Sequence, residues 1–137
     1  MRILLADVQA KVRFALRVLL ERQPGCHIVG EATSSEDLLA QVQAACPDLV
    51  LLGWELPHPA KAELVVALRE ACPNLVVIAL SGRPEARKAA LEAAADAFVS
   101  KGDPPEHLLA AIGACECTPD GEEASGVVGQ PSAQAGD

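Results

Sequence analysis

"PDLVLLGWELP", residues Pro47 to Pro57, decides the fold. Leu49 to Leu52 is a short, continuously apolar run that stops at Gly53 and passes at once into turn chemistry. Such a run reads as a strand buried on both faces of a parallel sheet. "LVVIAL", Leu75 to Leu80, reads the same way, and further strands are expected at Ile3–Ala6, Ile28–Glu31 and Ala97–Ser100. Between them apolar residues recur at helical spacing: Val12, Leu16, Leu19 and Leu20, then Leu38, Val42 and Ala45, then Leu64, Leu68 and Ala71. Ser34 followed by Asp37 predicts a helix start. Pro84-Glu85 and Asp103-Pro104-Pro105-Glu106 predict two more, with proline in the first turn. Short strands alternating with helices imply right-handed crossovers, hence an α/β fold with a doubly wound five-stranded parallel sheet and five helices.

The bulk composition narrows the function. The chain has 137 residues, half of them apolar, but only two Phe and one Trp, so its core is aliphatic. A net charge of -8 argues against a nucleic-acid surface, which needs clustered Lys and Arg. The apolar runs are too short to span a membrane, and Asp7 interrupts the first one too early for a secretion signal. A soluble, cytoplasmic chain is expected. The five cysteines (Cys26, Cys46, Cys72, Cys115, Cys117) make no CxxC pair and lack zinc spacing, so reduced, mostly buried thiols are expected and no metal. Residues 118–137 are rich in Gly, Pro and Ser and hold Asp120, Glu122, Glu123 and Asp137 without Lys or Arg. They read as a disordered acidic tail after a folded domain at 1–117.

In a doubly wound sheet of order 2-1-3-4-5, ligands gather at the carboxyl ends of strands 1 and 3. Those ends carry Asp7 and Gly53, while strand 4 delivers Ser81 and strand 5 delivers Lys101. A carboxylate, a hydroxyl and an ammonium would converge on a glycine.

"ILLADVQAKVRFALRVLL", "PDLVLLGWELP", "IALSG" and "FVSKGDPPE" stand in order along Met1 to about Cys117. Together they resemble the receiver domain of two-component response regulators, a flavodoxin-like fold. The resemblance implies an aspartate nucleophile at position 53, two acids after strand 1, a metal-binding backbone carbonyl at Glu55, and phosphoryl contacts from Ser81 and Lys101. Asp7, Ser81 and Lys101 match that pattern. Gly53 stands where the phosphoacceptor belongs, Val8 where the second acid belongs, and Lys61 where a loop glycine is common. Glycine supplies no nucleophile, and Asp7 alone is a poor Mg²⁺ site, so no phosphoryl transfer, cofactor or metal is expected. The Glu55 side chain is expected to point away from the site. Phe98 takes the place of an aromatic that moves inward in the family, and burial is expected to hold it there.

The resulting expectation is a degenerate receiver, not an enzyme, serving as a phosphorylation-independent interaction module in signalling. Its partner, another signalling protein or a second copy, would dock on Pro84 to Cys115. The alternatives are a small-ligand site at a vacated strand 1/strand 3 edge, or the receiver part of a truncated DNA-binding regulator. The first of these lacks any GxGxxG or P-loop pattern. Trp54 reads as packing, and His58 as exposed and idle.

Overall fold

The computed structural model describes residues 1–58 and 60–116; the expected acidic tail lies outside the described residues. The elements run β1 (Arg2–Ala6), α1 (Ala10–Glu21), β2 (His27–Ala32), α2 (Ser35–Ala45), β3 (Leu49–Gly53), α3 (Lys61–Ala71), β4 (Val76–Ser81), α4 (Ala86–Glu92), β5 (Ala97–Ser100) and α5 (Pro105–Glu116). The five strands form one parallel sheet in the order β2-β1-β3-β4-β5. The chain divides into two compact units, one to Asp103 and one from Pro104, which carries α5.

The alternation of side chains builds the core. Leu4, Ala6, Val50, Leu52, Val77 and Ala79 pack with Leu38 and Val42 of α2, Leu64, Val65 and Leu68 of α3, and Ala86 and Ala90 of α4. Their neighbours Ile3, Leu5, Leu49, Leu51, Ile78 and Leu80 point to the opposite face and are also buried. Both faces of β3 and β4 are thus dry, which is why their sequences are apolar without a break. Each buried leucine contributes about 1.5–3 kcal/mol. Within the second unit, Leu108 and Ile112 lie one turn apart on α5, and both are buried.

Local chemistry sets the helix ends. Ser34 Oγ accepts the Asp37 N–H at 3.1 Å, the cap that starts α2. The fourth helix begins at Ala86, later than the proline suggested, because Arg83, Pro84 and Glu85 form a preceding turn (Ala86 N to Arg83 O, 3.0 Å). His58 is half-buried and its Nδ1 accepts the Ala60 N–H at 3.1 Å, so it is neither fully exposed nor idle.

The cysteines depart from expectation. Cys46 and Cys72, the C-caps of α2 and α3, form a disulfide with Cα atoms 5.7 Å apart. Cys72 is buried, whereas Cys46 is exposed. The 26-residue separation carries no pairing signature, and only the packing of α2 against α3 brings the two caps together.

Register decides what meets at the carboxyl edge. Ala6 pairs with Leu52, Gly53 with Leu80, and Ser81 with Ser100. Asp7, Gly53, Ser81 and Lys101 therefore leave the sheet side by side, all within the first unit.

Candidate functional site at the carboxyl edge of the sheet

Asp7 is the buried anchor. Its side chain is 3 % exposed, and Oδ1 accepts the Gln9 N–H at 2.8 Å. Its backbone carbonyl accepts Arg13 Nη1 at 2.6 Å, and Arg13 in turn pairs with Glu31 at 2.8 Å. Arg17 joins the same carboxylate at 2.7 Å, and these two guanidiniums hold Glu31 below its usual pKa. This network fastens α1 to β2 and fixes the loop that carries Asp7.

Lys101 turns back into the site because its N–H donates to Ser81 O at 2.8 Å, extending the β4–β5 pairing by one residue. Its Nζ lies 2.8 Å from Asp7 Oδ2, a contact with ion-pair but not hydrogen-bond geometry, so Oδ2 accepts no hydrogen bond from the described residues. The same ammonium sits 3.3 Å from Glu55 Oε1 and 3.3 Å from Gln9 Oε1.

Glu55 is where the structure corrects the sequence reading most. Its side chain reaches into the site, accepting from Ser81 Oγ at 2.5 Å through Oε2 while Oε1 faces Lys101. One carboxylate thus bridges the ends of β4 and β5. Burial pushes the Glu55 carboxyl up, but the Ser81 hydroxyl and the Lys101 ammonium outweigh it and the net shift is downward. Ser81 is fully buried and its Oγ also accepts the Arg83 N–H at 3.0 Å.

The sign of that shift gives a pH dependence. A lowered carboxyl pKa contributes stability that is present above the ordinary 4.5 and lost as pH falls through the lower folded value. Glu55 is about one-third exposed, so solvent screening limits the gain to less than about 1 kcal/mol. Glu55→Gln is therefore expected to flatten part of the acid limb of the melting-temperature profile, while leaving the part due to Glu31. An acid limb unchanged by the substitution would contradict the bridge.

The edge is not vacant at position 53. A Cβ added to Gly53 would lie 2.3 Å from Asp7 Oδ2 and 2.8 Å from Asp7 Cγ, so the Asp7 carboxyl already fills that space. Val8 is 42 % exposed and takes no part in these contacts. Phe98 is 6 % exposed, with the Arg87 guanidinium 5.3 Å from its ring centre. Trp54 packs in the core, and Lys61 Nζ lies 5.9 Å from its ring centre. Burial lowers the Lys61 pKa, partly offset by the charge of Glu55.

Sequence reasoning placed Glu55 at the site through its backbone carbonyl but missed its side chain, and it missed Gln9 and Arg13 as site residues. The available signal for Glu55 was an acid two residues past a strand end, facing a hydroxyl and an ammonium on the next strands.

The comparisons with known proteins converge. The family model for the response regulator receiver domain matches residues 3–113. The nitrate/nitrite response regulator protein NarL of Escherichia coli (strain K12) is 32% identical over 112 residues, 80% of this chain and 52% of the relative. The transcriptional activator protein ExaE of Pseudomonas putida is 35% identical over 114 residues, 82% of this chain and 53% of the relative. The chain spans about half the length of these curated relatives. Among solved structures, a LuxR-family two-component response regulator from Aurantimonas sp. SI85-9A1 superposes with TM-score 0.77 at 30% identity, covering 90% of this chain and 87% of that one. The receiver domain of the putative response regulator NarL from Mycobacterium tuberculosis shares the fold, with TM-score 0.74 at 22% identity over 85% of this chain and 97% of that one. The chain belongs to the response regulator receiver domain family.

Proposed function

We propose that this receiver works as a phosphorylation-independent interaction module in two-component signalling. The observation that carries the reading is the Glu55 carboxylate, which engages both Ser81 and Lys101, the groups that the family resemblance assigns to phosphoryl oxygens. Gly53 offers no oxygen nucleophile at the position the resemblance gives to the phosphoacceptor. The carboxylate supplies instead, permanently, a negative charge of the kind a transferred phosphoryl group would bring. Such a charge removes the difference between two states that a phosphorylation switch requires.

The residues present do not fit the Mg²⁺ that the family implies. Asp7 Oδ2 faces an ammonium at 2.8 Å, Glu55 is committed to Ser81 and Lys101, and Val8 brings no oxygen. A hard dication that needs six oxygens would have to displace Lys101 first. A small-ligand site at this edge has no corresponding support, because the Asp7 carboxyl fills the space beside Gly53.

Output would pass through the surface from Pro84 to Cys115, where the family resemblance places it, to a signalling partner or a second copy in the cytoplasm. Leu91 on α4 is 42 % exposed there. The site lies wholly within Met1–Asp103, so the reading is the same for a receiver that forms part of a longer regulator.

Incubation with acetyl phosphate or carbamoyl phosphate, with and without Mg²⁺, is expected to leave the intact mass unchanged. Gly53→Asp alone is expected to gain little, since a second carboxylate beside Asp7 would repel it without the acid missing at position 8. A base-labile phosphate on Asp7 of the unmutated protein would overturn the reading.

A further inference from the structure

We propose that Cys46 and Cys72 form a reversible thiol–disulfide site that clamps and releases the C-terminal turns of α2 and α3. The pair lies at the helix ends, away from the carboxyl-edge site, and does not depend on the function proposed for that site. Three observations carry it. The first is geometry: the Cα atoms stand 5.7 Å apart, well within the range a disulfide bridges.

The second is asymmetric access. Cys46 is exposed whereas Cys72 is 2 % exposed, so the pair meets an external thiol or disulfide from the Cys46 side and Cys72 resolves the exchange from inside. An exposed attacking sulfur next to a resolving partner is the arrangement that makes exchange site-selective.

The third is that the open form also has a place in the fold. Cys72 Sγ lies 3.5 Å from the Val42 carbonyl, so a reduced thiol finds an acceptor there. The caps themselves are held by backbone bonds, Cys46 N to Val42 O at 2.9 Å and Cys72 N to Leu68 O at 3.0 Å, which do not involve sulfur. Val42, Leu68 and Leu75 are buried in the same core cluster as Cys72.

Closure would use a low-molecular-weight disulfide as oxidant. The Cys46 thiolate attacks one sulfur of that disulfide, forming a mixed disulfide and expelling one thiolate. The Cys72 thiolate then attacks the Cys46 sulfur and expels the second. Two electrons pass to the small disulfide, and the two thiol protons end on the two small thiols released. Reduction by excess small thiol reverses both steps.

The test equilibrates the whole chain in glutathione buffers from fully reduced to fully oxidised. Thiols are trapped by alkylation, the 46–72 linkage is mapped by peptide mass, and melting is followed in parallel. The expected result is a reversible transition within the glutathione range, with the reduced form melting roughly 10 °C lower, as loss of a cross-link of this span implies. Cys46→Ser should melt at the reduced value in every buffer, and Cys26→Ser should leave the transition where it is. A pair that stays dithiol in glutathione disulfide, or stays linked in excess reduced glutathione, would overturn the proposal.

Discussion

Lys101→Met is expected to cost about 3 kcal/mol of folding stability, well above the cost of losing a surface ion pair. A pair at the end of two strands is ordinarily close to solvent, and losing it then costs little. At this edge the Asp7 side chain is only 3 % exposed, Lys101 is 17 % exposed, and among the described residues Oδ2 has no hydrogen-bond donor to fall back on. Removing the ammonium strands a buried carboxylate and also frees Glu55 from one of its two partners. Asp7→Asn in the Lys101→Met background should recover most of the loss, since the amide carries no charge that needs pairing. Denaturant titration of the two single variants and the double variant measures this coupling. A Lys101→Met protein within about 0.5 kcal/mol of wild type would show that Asp7 is solvated after all.

Gly53→Ala should also destabilise, by about 2 kcal/mol, although a glycine in a strand ordinarily gives the opposite sign. Alanine usually gains 0.5–1 kcal/mol at such a position by restricting the unfolded chain, roughly the amount glycine costs. At position 53 the new methyl would stand 2.3 Å from Asp7 Oδ2 and 3.1 Å from the Ala6 carbonyl, so the Asp7 carboxylate must leave Lys101. The overpacking and the broken ion pair outweigh the entropic gain. In an Asp7→Ala background only the Ala6 carbonyl at 3.1 Å remains close, and most of the cost of Gly53→Ala should disappear. An equal effect in both backgrounds would mean that Asp7 does not occupy the space beside Gly53.

Much of the fold was legible because it rests on local patterns. "LVLL" and "LVVIAL" could be read as central strands since no polar residue can be buried on either of their faces without a partner. Ser34 with Asp37 named the start of α2, and the structure has that hydrogen bond. The strand order followed from the alternation of elements, and with it the meeting of Asp7, Gly53, Ser81 and Lys101 at one edge. What escaped was set by tertiary context. Glu55 could be placed beside the site, but its rotamer depends on Ser81 and Lys101, which only β4 and β5 supply. The Cys46–Cys72 disulfide depends on the packing of α2 against α3. The late start of α4 reflects a turn that competes with the proline signal.

The central claim is that Glu55 holds Ser81 and Lys101 in a single arrangement, with Phe98 turned inward, without any phosphoryl group. Relaxation-dispersion NMR on the wild type and on Glu55→Ala tests it most directly, because it reports exchange on the timescale of switching. The expected result is flat dispersion at Ser81, Val99 and Lys101 in the wild type, with exchange appearing at those amides once the carboxylate is removed. Substantial exchange in the wild type, or a Glu55→Ala protein as quiet as its parent, would contradict the claim.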